Sequence, residues 1–216
     1  MKRSIVMGIA CLAAAGAASA AEPRVIEGRA KVASDQEVRL DFPVGELEIV
    51  GVDGDTLEIV VEIRCKGRRR ARCEDTAEQI ELDIDESRGT LYVEIEPHSK
   101  WQWWDDLEIE ARVKQPADRP LRVDMGVGEL VIEGLAADLQ VDLGVGEASV
   151  DMSVDAVRSV FLDAGIGETE LLGPKGWVRD ERSFFIGSES SWRDGPGEAR
   201  VHVEVGVGEA SVRLDG

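Results

Sequence analysis

Histidine is almost missing from this chain: His98 and His202 are the only two among 216 residues. Neither stands beside a Ser, Cys or Asp pattern that would support nucleophilic or acid–base work, so the chain reads as not an enzyme. Cysteine is nearly as scarce, with Cys11, Cys65 and Cys73; two cysteines without a nearby His do not make a metal site. Cations are outnumbered as well. Against 44 Asp and Glu stand 25 Lys and Arg, a formal charge of −19, which disfavours nucleic acid and anionic membrane as partners. After Ala20 no apolar run reaches the roughly 20 residues a membrane span needs, so no transmembrane segment is expected once the leader is removed. No motif calls for a cofactor.

The leader itself is present. Lys2 and Arg3 precede a mostly apolar run from Ser4 to Ala17, and Ala18-Ser19-Ala20 supplies the small residues a signal peptidase reads. Residues 1–20 are therefore expected to be a signal peptide and 21–216 a single elongated domain. Loss of Lys2 and Arg3 moves the charge from −19 to −21. The protein should be exported, most directly to the periplasm, with the cell surface or the exterior also open. In an oxidising compartment Cys65 and Cys73 read as a disulfide closing a short loop.

One phrase recurs. DMGVGELVIEG begins at Asp124, DLGVGEASVDM at Asp142, DAGIGETELLG at Asp163 and EVGVGEASVRL at Glu204, with a relative, DFPVGELEIVG, at Asp41. The first glycines of the later copies fall at 126, 144, 165 and 206, and a degenerate copy, FFIGSES around Gly187, fills the long gap. The period is about 20 residues. Within each copy apolar residues alternate: Val123, Met125 and Val127 are expected to point inward, as are their counterparts up to Val145, Ile166 and Val207, with Asp124 and its equivalents outward. After the second glycine the phase slips, which marks a bend. Pro43 occupies the first glycine position in one copy, so positive φ is expected only at the second: Gly45, Gly128, Gly146, Gly167 and Gly208.

These features predict an all-β fold: a parallel, right-handed β-solenoid of about 20-residue rungs, its aliphatic faces joined into one column. An antiparallel sandwich gives no reason for a motif to recur in register. The expected layout is a first copy over 38–51, a β-rich, partly antiparallel insert over 52–114 and serial rungs over 121–216. Strands are predicted at Leu57–Ile63, Ile80–Ile84, Leu91–Ile95 and Leu107–Val113, with a weak helix near Asp75–Gln79. The last copy, at the chain's end, would leave an open edge that needs covering.

Stacking at about 4.8 Å would align Glu129, Glu147 and Glu168 in one ladder and Asp124, Asp142 and Asp163 in another. Such rows must splay into solvent, take up cations such as calcium, or find basic neighbours. Two loops stand apart. HSKWQWWDD carries Trp101, Trp103 and Trp104, which either cap the core or dock a partner. CKGRRRARC carries Arg68, Arg69 and Arg70 within the presumed disulfide, either solvated or facing an anionic surface.

The order of a VGELEIVG strand pair, a β-rich insert ending in ARVKQPADRPLRV, and serial GVGEL/GVGEA rungs resembles the adhesin-like, GIN-type head domain family of bacterial envelope proteins. The resemblance covers Val38 to Gly216. It implies a β-solenoid, no catalytic residues and an adhesive or scaffolding role. The function expected is non-catalytic binding or scaffolding in the envelope, with an unidentified envelope protein, a glycan or a second copy as partner. The alternatives are a divalent-cation-binding repeat protein and a polysaccharide-active β-helix enzyme.

Overall fold

The computed structural model describes residues 23–66, 70–97, 107–178 and 187–216. The expected signal peptide, Arg68, Arg69 and the three tryptophans of the Trp loop lie outside these residues.

Among the described residues the fold is all-β apart from one short helix. In chain order the elements are β1 (Arg24–Lys31), β2 (Glu37–Val52), β3 (Thr56–Cys65), α1 (Arg70–Ala77), β4 (Ile80–Ser87), β5 (Thr90–Pro97) and β6 (Leu107–Pro116). There follow β7 (Leu121–Leu135), β8 (Leu139–Ser153), β9 (Val157–Gly173), β10 (Gly176–Val178), β11 (Ser188–Trp192) and β12 (Ala199–Asp215). All twelve strands belong to one mixed, open sheet.

Each motif strand is long and bent, and the bend divides the sheet into two arms. On the first arm β5 pairs with Glu37–Asp41 of β2, and β4 pairs with β5. On the second arm β6 pairs with Glu46–Val52 of β2, and β3 and β1 follow antiparallel. The motif strands β2, β7, β8, β12 and β9 run through both arms, parallel and in register. Parallel neighbours normally need a long crossover. Here the second arm is itself the way back, so three residues, 136–138, suffice to join β7 to β8. Those return turns are stitched to one another: Ala136 N–H donates to Ala117 O at 2.8 Å, and Leu121 N–H to Asp138 O at 2.9 Å.

The inward faces of both arms form one core. Leu121, Val123 and Met125 from the first arm of β7 join Leu130 and Ile132 from its second, all no more than 4% exposed. The layers also meet at the β1 end, where Gly28 leaves room for Leu82 and Ile84: a Cβ there would lie 2.7 Å from both side chains. Strict alternation explains the extended arms, since one face of each is dry and the other wet.

Three expectations are corrected. The copies do not stack in chain order: β12 lies between β8 and β9, which never pair with each other. The rungs over 121–216 are thus not serial, and the last copy is an interior strand. The degenerate copy is no rung either. Its Ser188–Trp192 run antiparallel to the first arm of β9, and with β10, antiparallel to the second arm, cover the end of the stack. There Thr169, where other copies bury Leu130, Ala148 or Ala210, shares hydrogen bonds with Ser188 and Ser190 at 2.7 and 2.8 Å. Third, the helix begins at Arg70, inside the Cys loop, rather than near Asp75.

The four strands predicted between Leu57 and Val113 fall within β3 to β6. Cys65 and Cys73 are bonded to each other. Cys73 lies on α1, which the bond ties to the end of β3; the Arg24 guanidinium donates to Ala77 O at the other end of that helix.

Candidate interaction surface

Because equivalent residues of parallel strands lie side by side, every outward position of the motif becomes a column running across the stack. Four columns matter, in order from the first arm over the bend to the second.

The first two lie on the first arm. Arg39, Arg122, Gln140, His202 and Phe161 form one row; Asp41, Asp124, Asp142, Glu204 and Asp163 form the next. They pair with each other in part. Arg122 bridges two rungs, reaching Asp124 at 3.2 Å and Asp142 at 2.8 Å, while Arg39 meets Asp124 at 2.8 Å. Gln140 donates to Asp142 at 3.2 Å, and His202 meets Glu204 at 2.8 Å with its ring tilted against Phe161 at 4.9 Å. Burial pushes the Asp124 carboxyl up, but its hydrogen bond and charge contact with Arg122, with Arg39 beyond, outweigh that and hold it below the ordinary range. Its contribution to stability is present above the unfolded value and is lost as pH falls through the folded one. Of the expected Asp ladder, Asp124 and Asp142 lie side by side with basic compensation, one of the three outcomes foreseen, whereas Glu204 separates Asp142 from Asp163. The signal was there to read: Arg122-Val-Asp124, Gln140-Val-Asp142 and His202-Val-Glu204 each place a partner two residues before the acid.

At the bend itself the inward phase stops at Met125 and resumes at Leu130. Val127, expected inside, is 48% exposed, and Val145, Val207 and Ile166 are 45%, 42% and 52% exposed. This corrects the alternation: the turn is spread over Gly126-Val127-Gly128, which puts the middle side chain on the outside of the corner. Val44, Val127, Val145, Val207 and Ile166 form a continuous rib, exposed from Val127 to Ile166 and half-buried against the core at Val44. A row of glycines lies on either side. The second glycines, Gly45, Gly128, Gly146, Gly208 and Gly167, all have φ between 130° and 144°. The first glycines are absent from the positive-φ set, but a Cβ on Gly144 would still come 2.5 Å from Gly126 O.

On the second arm the acid column is longer than expected. Glu62, Glu110, Glu46, Glu129, Glu147, Glu209 and Glu168 occupy consecutive strands. Cations serve only its β3–β6 end: Arg64 meets Glu62 at 2.5 Å and also contacts Glu110, and Arg112 lies 3.5 Å from Glu62. Among the described residues nothing pairs with the five from Glu46 to Glu168. Burial first, then Glu170, Glu147 and Glu168, raise the Glu209 carboxyl above its usual value. The folded state then holds a proton that the unfolded state has released, so stability falls as pH climbs from the unfolded value through the folded one. Glu209→Gln should therefore raise stability at pH 7 slightly, and the gain should vanish on acidification. Parallel urea titrations at pH 7 and below pH 4 test this; a loss at pH 7 would contradict it.

Of the loop residues singled out in the sequence, Arg70 opens α1 and Lys66 pairs with Glu108; the structure does not bring them to the rib. Among the described residues, no three His, Cys, Asp or Glu side chains converge to hold a metal ion, and no helix is long and apolar enough to cross a membrane.

A family model described as "N-terminal domain of toast_rack, DUF2154" matches residues 19–172. The chain belongs to that family. The toast_rack match spans β1, the insert and the motif strands into the end of β9, while β10, β11 and β12 lie beyond it. No curated protein matches the chain. Among solved structures, a "putative cell adhesion protein" from Clostridium sporogenes aligns with 90% of this chain and 100% of its own, at 16% identity and a TM-score of 0.58. That likeness extends the shared fold over nearly the whole chain. A "putative adhesin" from Parabacteroides merdae covers 68% of this chain and 63% of its own at 7% identity and a TM-score of 0.34. A "putative lipid binding protein" from Parabacteroides distasonis covers 61% and 64% at 13% identity and a TM-score of 0.28.

Proposed function

We propose that the protein is a non-catalytic, exported envelope protein that works as an adhesin-like binding or scaffolding module. The observation that carries this reading is the set of outward columns: the fold repeats one chemistry along a stiff stack instead of converging different groups in a cleft. His202, the one described histidine, is engaged by Glu204 and Phe161, which gives it a structural task. The "cell adhesion" name of the Clostridium sporogenes structure and the export leader support the same reading. On this reading the stack is a short β-solenoid of about 20-residue rungs, with β12 threaded between its neighbours, and kinship with GIN-type head domains follows from the shared strand–glycine–acid–strand rungs. Trp101, Trp103, Trp104 and the arginines Arg68, Arg69 and Arg70 are its candidate docking groups, and periplasm or cell surface its place of action.

Crosslinking in intact cells, followed by identification of the captured species, tests this. The expected result is one defined envelope component held by the wild type and lost when the three tryptophans are changed to Ser at unchanged melting temperature. Turnover of a polysaccharide or peptidoglycan panel by the mature protein would overturn it.

A further inference from the structure

The rib at the bend has no structural need to be apolar. Among the described residues six large hydrophobic side chains are exposed, and four of them are Val127, Val145, Val207 and Ile166. β-Branching suits an extended corner residue, but Thr would supply it equally and hold water. None of the five copies uses Thr: the residue is Val four times and Ile once. An apolar stripe repeated on purpose and left in solvent marks an interaction surface.

Its surroundings say what kind of partner fits. From Val127 to Ile166 the glycine rows leave furrows on both sides, so those four side chains stand free; at the β2 end Pro43 and the half-buried Val44 close the rib. Beyond one furrow Asp124 and Asp142 are already paired with Arg39 and Arg122. Beyond the other, Glu46, Glu129, Glu147, Glu209 and Glu168 run the full length of the rib, with no cation at ion-pair distance among the described residues. A second copy brought rib to rib would set two such rows against each other, so self-association there is disfavoured. The spacing also selects. Rungs repeat at about 4.8 Å, close to the ~5.4 Å pitch of an α-helix, whereas alternate residues of an extended strand recur at about 6.7 Å and lose step within three rungs. Helix grooves between side-chain ridges accept such a rib.

We infer that the Val44–Val127–Val145–Val207–Ile166 rib and its flanking glutamates form a docking surface for a cationic amphipathic helix of a partner protein. The helix would lie across the five strands, its apolar face on the rib and its Lys or Arg row along the glutamates. This rests on the binding-module reading above and assigns it a second surface, independent of the Trp and Arg loops. The crowding that raises Glu209 is the kind of cost an incoming cation relieves.

The probe is a fluorescein-labelled synthetic 18-residue helix with a leucine face bordered by lysines, compared with the same peptide carrying glutamates for lysines. Anisotropy titrations against the mature protein should show saturable binding of the first and none of the second. V127T/V145T/I166T/V207T keeps β-branching and should weaken binding at least tenfold with the melting temperature unchanged; E129Q/E147Q/E209Q should weaken it as much with the melting temperature unchanged or slightly raised. D83N/D85N/E86Q, which removes as many charges from the edge strand β4, should leave binding within twofold. Failure of the wild type to bind, equal binding by the Thr variant, or equal loss in the β4 control would each overturn the docking surface. The cell-crosslinking result for the wild type is read separately, so the module reading can survive that failure.

Discussion

Gly146→Ala is expected to cost the protein at least about 3 kcal/mol, or its fold altogether, while Gly89→Ala costs about 1–2 kcal/mol. Both glycines sit at positive φ, 144° and 82°, so both substitutions pay backbone strain. They differ in space. A Cβ on Gly89 meets nothing within 4 Å, but on Gly146 it would come 1.8 Å from Gly128 O and 2.8 Å from its carbonyl carbon. The obstacle is backbone of the adjoining strand, which cannot rotate aside; relief requires prising the rungs apart at the bend, and with them the ladder on both arms. The same collision repeats down the row, with Gly208 meeting Gly146 O at 1.8 Å and Gly167 meeting Gly208 O at 1.7 Å. Gly144→Ala should fall between the two, since its backbone is unstrained and only the 2.5 Å approach to Gly126 O must be relieved. Urea denaturation of the three variants checks the ranking. If Gly146→Ala and Gly89→Ala shifted the midpoint equally, close stacking at the bend would not be what the second glycine serves.

That glycine row was legible because Pro43 broke the symmetry between the two positions of the motif. The arms were legible from alternation, as in Val123-Asp124-Met125, and the Cys65–Cys73 bond from spacing and the expected export leader. The outward turn of Val127 was hidden, because alternation continues formally through Gly126 and only the backbone bend reverses the side chain. The seven-membered glutamate column was half visible: Glu62 and Glu110 carry no GVGE phrase, and the parallel β2–β6 and antiparallel β6–β3 pairings brought them into line. The neighbour order could not be read at all. β8, β9 and β12 share one motif, so any two of them match in register equally well, and local pattern carries no information about which pair meets. What separates them is that β10 and β11 cover β9, which leaves β12 the gap between β8 and β9.

That order makes removal of residues 199–216 the most destructive truncation available, where a chain-order stack would make it the mildest. A terminal rung could peel away and leave the others paired. β12 instead is hydrogen-bonded to β8 on one side and β9 on the other along both arms. It also delivers Val201, Val203, Val205, Val212 and Leu214, all no more than 4% exposed, into the shared core. At about 1.5–3 kcal/mol for each buried side chain, their loss alone approaches the roughly 5–15 kcal/mol net stability of a whole domain. It would also strand the facing edges of β8 and β9 with unpaired amides on both arms. The shortened protein is therefore expected to lose its cooperative melting transition and aggregate. In the intact protein the β12 amides should exchange only through global unfolding, as slowly as those of β7 and β8. A truncated chain that still melted cooperatively, or rapid exchange along Val201–Val205, would place the last strand at an edge and undo the threaded order.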